Sequence, residues 1–148
     1  MAPVVATIEV ARPAGRVFDY ATDPRTFGEW QKGVVEGHLD ASAPVAVGDR
    51  CVTVRRIGLA NRASTSEVTA VEPPHHWSIR GLDGPIRARV DVRVESLTDQ
   101  RSRLTIRVDF EGHGIGRLLV PLVVVPQARQ EMPANLDQLR HRLEAAAR

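Results

Sequence analysis

Four of the five histidines stand where they could do chemistry. His75 and His76 follow Pro73-Pro74 and precede Trp77 in "AVEPPHHWSIRG", residues 70–81. His38 and His113 each close a Glu-Gly-His triplet, Glu36–His38 and Glu111–His113. Glu and His two apart on a strand share a face, which suits an acid–base dyad or a pair of metal ligands. The tandem histidines have no such property. Adjacent strand residues point to opposite faces, so the two rings cannot chelate one ion. The two prolines fix a turn, since the first restrains the residue before it and neither donates an N–H. One histidine then reads as solvated, the other as lying near the sheet rim, with Trp77 packed inward. The triplets read most simply as surface pairs. No cysteine pair, His-x-Glu-x-x-His pattern or acidic cluster calls for a metal, and no cofactor is expected. Gly112, Gly114 and Gly116 lack the strand–loop–helix setting of a phosphate loop. No nucleophile elbow is present, so no catalytic residue can be assigned.

Composition narrows the classes further. The chain has 148 residues, a net charge of +2 and an ordinary apolar share of 43%. That length suits one domain over residues 1–148, with a core large enough to need no disulfide. The single cysteine, Cys51, forbids an internal one. All the basic residues but Lys32 are arginine, scattered along alternating positions and interleaved with acids. No basic block with stacking aromatics appears, which argues against nucleic acid as a partner. Glu9 interrupts the first apolar run, so no signal peptide is expected. "LLVPLVVVP", 118–126, is shorter than the roughly 20 residues of a membrane span. These features point to a cytoplasmic protein with no integral membrane segment, and they allow a homodimer.

Whatever positions a site must come from elements that the pattern predicts. "VVATIEVAR", 4–12, reads as a strand. "PAGRVFDYA", 13–21, reads as a helix with Val17, Phe18 and Ala21 inward. Asp23-Pro24 caps and starts a second short helix whose apolar face carries Phe27 and Trp30, ended by Gly33. From there to about residue 113 the period is two. Strands are expected at "VVEGHLD", "DRCVTVRRI", "ASTSEVTAV", "HWSIRGL", "IRARVDVRVESL" and "SRLTIRVDFEG", with turns at "GLANR", the Pro-Pro step, Asp83-Gly84 and "TDQR". Ala88, Val90, Val92 and Val94 share one face, and Leu104, Ile106, Val108 and Phe110 face in. The last 34 residues are helical in period, with one stripe of Ile115, Leu118, Leu119 and Leu122 and another of Met132, Leu136, Leu139 and Leu143. Pro121, Pro126 and Pro133 predict a broken or kinked helix, best formed from Pro133 to Ala146.

Strand, two short helices, six antiparallel strands and a long helix, in that order, resemble the helix-grip superfamily, also called SRPBCC or START-like. The likeness rests on "IEVARPAGRVFDYATDPRTFGEW" (8–30), "VGDRCVTVRR" (47–56), "EVTAVEPPHHWSIRG" (67–81) and "NLDQLRHRLEA" (135–145). The branch is the bacterial polyketide cyclase/dehydrase-like one. The resemblance implies an α+β fold, a seven-stranded antiparallel sheet curved around a long C-terminal helix, with two short helices between strands 1 and 2. It also implies that the strands carrying the two Glu-Gly-His triplets lie far apart in the sheet.

One helix cannot fill the whole concave face of such a sheet, so a cavity is expected. Trp30, Trp77 and Phe110 are the large aromatics expected to reach it. Val90, Val92, Leu118 and Leu122 complete the expected lining of a ligand site. Core packing is the competing role for each. Tyr20 and Arg62 are candidates for polar contacts. Related cyclases use cavity Arg, Tyr, His or Ser residues on a poly-oxo substrate, but no fixed motif carries such a residue over to this chain. The first reading is binding of a hydrophobic small molecule, whether an aromatic polyketide, a lipid or an isoprenoid. The second is a polyketide cyclase or dehydratase acting by positioning and desolvation. The third is a protein-partner module using segment 118–126.

Overall fold

A computed structural model describes residues 3–40, 44–57 and 59–146. Residues 41–43 and Gly58, the first residue of "GLANR", lie outside them. The elements are β1 (Val4–Val10), α1 (Ala14–Ala21), a 3-10 turn (Pro24–Thr26), α2 (Phe27–Trp30), β2 (Val34–Asp40), β3 (Arg50–Ile57), β4 (Ala60–Glu72), β5 (His76–Gly81), β6 (Ile86–Thr98), β7 (Arg101–Gly112), α3 (Gly116–Leu119), a π turn (Val120–Val124) and α4 (Val125–Ala146). The strands form one antiparallel sheet in the order β1-β7-β6-β5-β4-β3-β2.

Alternation sets the inner face. On β6 and β7, Val92 pairs with Ile106 and Val90 with Val108. Val92, Ile106 and Val108 are buried and Val90 is half-buried, in one core with Leu136, Leu139 and Leu143 of α4. The arginines and acids of the other parity face outward. Asp23 caps as expected, its Oδ1 accepting from Arg25 N at 3.0 Å. α4 is tied down at its far end, where Arg12 donates to the carbonyls of Leu143 and Glu144. A positively charged donor thus meets backbone acceptors that a helix end leaves open.

Three expectations are corrected. The turn "GLANR" is tighter than expected, because β4 begins at Ala60 and Asn61 and Arg62 pair with Arg56 and Arg55. The C-terminal helical stretch is not broken: it runs without a gap from Gly116 to Ala146, with Pro121 inside the π turn and Pro126 just after it, and it continues through exposed Pro133. The largest correction concerns Leu118 and Leu122, which do not face the sheet. They are 65% and 72% exposed, as is Ile115 at 65%. Gly116 decides this. A Cβ there would stand 1.8 Å from Pro85 O, and one on Gly112 would stand 2.3 Å from Gly116 O. The glycine side of α3 therefore docks on the β5–β6 loop and turns Val120 inward, one helical turn on. Leu118 and Leu122 fall on the opposite side.

Candidate ligand site

α4 packs along β1 and α2. It therefore covers the β1 side of the concave face and leaves the β3–β4 side open. The two sides differ in chemistry. Toward β1 the wall is apolar: Val90, Val92, Ile106, Val108 and half-buried Phe110. Trp77 (3% exposed) and Trp30 (5%) are also buried there. Phe27 joins the two indoles, edge to face with each, at centroid distances of 6.0 Å to Trp30 and 6.3 Å to Trp77.

Pairing gives the other wall. Cys51 on β3 is buried in the core, so Thr53 and Arg55, two and four residues on, share its concave face. Their cross-strand partners on β4 are Ser64 and Arg62, and Cys51 faces Ser66. Thr53 and Ser64 share a hydroxyl–hydroxyl hydrogen bond of 3.3 Å. The concave face thus passes from aliphatic and aromatic on one side to hydroxyl and guanidinium on the other.

Arg55 is the charged group of this wall that the structure holds. Its Nη2 donates to Gln31 Oε1 at 3.0 Å. It keeps accessible surface, yet burial pushes its pKa below the ordinary arginine range, while the Glu131 charge pulls upward. The side chain is exposed, so it stands at the edge of the concave face, within reach of a small molecule and of solvent. An open groove of about 660 Å³ lies between Lys32 and the face of α4 that carries Gln127, Glu131 and Asn135, and none of the concave-wall residues named above lines it. Asn135 Oδ1 accepts from Lys32 N at 3.1 Å across this groove. Leu122 lines its outer lip.

The remaining sequence candidates fall elsewhere. Tyr20 donates its hydroxyl to Glu29 at 2.8 Å, and burial together with that carboxylate raises its pKa. Burial pushes the Cys51 thiol up to about 11, with Asp23 adding to the shift, so it is a poor nucleophile. The two Glu-Gly-His triplets sit on β2 and at the exit of β7, with four strands of the sheet between them. Glu111 Oε1 and His113 Nε2 lie 3.1 Å apart without hydrogen-bond alignment.

His75 is exposed, and His76 lies half-buried on the convex face. There His76 Nε2 and Ser78 Oγ both reach Asp91 Oδ1, at 2.5 and 2.6 Å. Serine and carboxylate compete for one ring nitrogen, which is not the arrangement of a nucleophilic triad. Among the described residues, no three His, Cys, Asp or Glu side chains converge as a metal site would need. Sequence reasoning missed Arg55 and this cluster, because both depend on strand register.

A family model described as polyketide cyclase / dehydrase and lipid transport matches residues 1–144. An uncharacterized protein of Mycobacterium tuberculosis is 33% identical over 115 residues, which cover 75% of this chain and 49% of that protein. The chain thus spans about half the length of the curated relatives it matches. Among solved structures, an aromatase/cyclase from a Streptomyces species superposes with a TM-score of 0.80 at 16% identity, covering 99% of this chain and 95% of that one. A START superfamily protein from Mycobacterium smegmatis superposes with a TM-score of 0.73 at 14% identity, covering 98% and 99%. At these identities the likeness is one of fold.

Proposed function

The chain belongs to the polyketide cyclase / dehydrase and lipid transport family, and on that premise we propose that it binds a hydrophobic small molecule with an oxygen-rich or anionic end. The carrying observation is the two-sided concave face. The apolar body of the ligand lies against Val90, Val92, Phe110 and the Trp30–Phe27–Trp77 cluster, and its polar end meets Arg55 and the Thr53–Ser64 pair. Trp30 Nε1 supports this reading, because it is buried without an acceptor among the described residues. An unpaired buried donor is costly, and a ligand oxygen would relieve the cost. An aromatic polyketide, a fatty acyl chain or an isoprenoid with a polar terminus has this form.

A second reading, turnover of such a ligand as a cyclase or dehydratase, draws support from the polar wall. A guanidinium and two hydroxyls on one face could hold the carbonyl oxygens of a folded poly-oxo chain and stabilise an enolate. Product formation from a synthetic poly-oxo substrate separates turnover from binding alone.

Fluorescence tests the binding reading. Anilinonaphthalene sulfonate, an aromatic body with one anionic end, is titrated while tryptophan emission is followed. Saturable energy transfer that changes in Trp30→Phe or Trp77→Phe is the expected result. Binding that neither substitution alters makes both residues core alone and moves the site elsewhere.

A further inference from the structure

The open end of the sheet carries a surface that the ligand reading does not use. In an antiparallel sheet of this order, the β3–β4 and β5–β6 turns, the end of β7 and the start of α3 all lie at that end. β4 extends past its first partner on β5, Gly81 opposite Ser66, so the β3–β4 hairpin projects. Leu59 stands at its tip, 97% exposed. Across that end, Ile115, Leu118 and Leu122 project from α3 and the π turn, turned out by the Gly116 contact.

The charges around these side chains have one sign. Residues 50–66 and 112–130 contain no Asp or Glu, while they carry Arg55, Arg56, Arg62, Arg117 and Arg129, and Lys32 adds to them beside the groove. Three acids lie nearest this end. Asp83 Oδ1 accepts from Thr65 N, Glu111 lies beside His113, and Glu131 accepts from Gln127. Large aliphatic side chains that stand free among an excess of basic groups match an anionic lipid surface. Acyl chains accept protruding leucines without a preformed pocket, and headgroup phosphates pair with guanidinium.

We propose that this rim, built from Leu59, Ile115, Leu118, Leu122, Arg117 and Arg62, docks the protein on an anionic lipid surface with the open end of the sheet facing the bilayer. Segment 116–124 then serves as a lipid contact and the Gly116–Pro85 contact as its mount. The surface acts whether or not a ligand is bound.

Vesicle flotation tests this without any ligand, so its failure and the failure of the ligand reading are separate results. The expected result is that the full chain floats with equimolar phosphatidylcholine and phosphatidylglycerol, less so at high salt, and not with phosphatidylcholine alone. Leu118→Ser with Leu122→Ser should lower the partition coefficient about tenfold or more, since each removes an inserting aliphatic side chain. Leu59→Ser with Arg117→Gln lies on other segments and should lower it too, which keeps the test open if the first pair perturbs α3. No flotation on anionic vesicles overturns the proposal. So does flotation unchanged in both variants. A dimer in solution that these substitutions dissolve, without vesicle binding, assigns the rim to a second copy of the chain and also overturns it.

Discussion

Arg55 Nη2 donates to Gln31 Oε1 at 3.0 Å, which joins the inner face of β3 to the residue that follows Trp30. The contact brings the charged wall of the concave face to the edge of its aromatic wall. Arg55→Met should weaken binding of anilinonaphthalene sulfonate about tenfold, the scale of one charged hydrogen bond, and leave the uncharged N-phenylnaphthylamine unaffected. Thermal stability should change little, because the side chain is exposed and its hydrogen bond to Gln31 is screened by solvent. Equal loss for both probes would mean that Arg55 supports the fold of the concave face rather than the anion.

Val92→Asp should destabilise the fold by about 3–5 kcal/mol, read from chemical denaturation, because a carboxylate would sit unpaired in the core. Val35→Asp is the control: Val35 is exposed on β2, and a change under about 0.5 kcal/mol is expected there.

Two glycines should respond in opposite senses. Gly15 in α1 has open space around its Cβ position, so Gly15→Ala should stabilise by about 0.5–1 kcal/mol. Gly116→Ala must displace Pro85 O or the start of α3 and should cost about 1–3 kcal/mol. Paired melting curves decide this, and a neutral Gly116→Ala would remove the stated reason for the outward turn of Leu118 and Leu122.

The convex cluster sets an acid limit. Burial raises the pKa of Asp91, but hydrogen bonds from Ser78 and His76 and the charges of His76 and Arg93 outweigh it and hold it below the usual carboxylate value. A depressed carboxylate contributes stability above its unfolded pKa and loses it as pH falls through the folded one. Ser78→Ala should therefore cost most stability near neutral pH, with the loss shrinking as pH falls through the Asp91 pKa, and should move acid unfolding to higher pH. An unshifted acid limb would show that the Ser78 bond does not hold Asp91 ionised.

Period-two alternation made the strands legible, and β2 falls on "VVEGHLD" to the residue. The inward set on β6 and β7 was equally plain, because apolar and charged residues alternate there without a break. Leu118 and Leu122 misled because helical period reports a stripe but not which side a docking contact will bury. That side was set by Gly116 against Pro85, a pairing between segments some thirty positions apart. Arg55 was hidden for a related reason. In "VTVRRI" two adjacent arginines look alike, and only the parity set by buried Cys51 sends Arg55 inward and Arg56 out. Trp30 and Trp77, read as aromatics at the cavity or in the core, are both buried, while Phe27, the ring that joins them, was read only as part of a helix face.

Methyl NMR of the protein titrated with anilinonaphthalene sulfonate tests the central claim most directly. The account predicts saturable shifts at the methyls of Val90, Val92 and Ala88 on the concave face, lost in parallel with affinity in Arg55→Met. Shifts confined to Leu59, Leu118 and Leu122 on the outer rim, with the concave methyls unmoved, would contradict it.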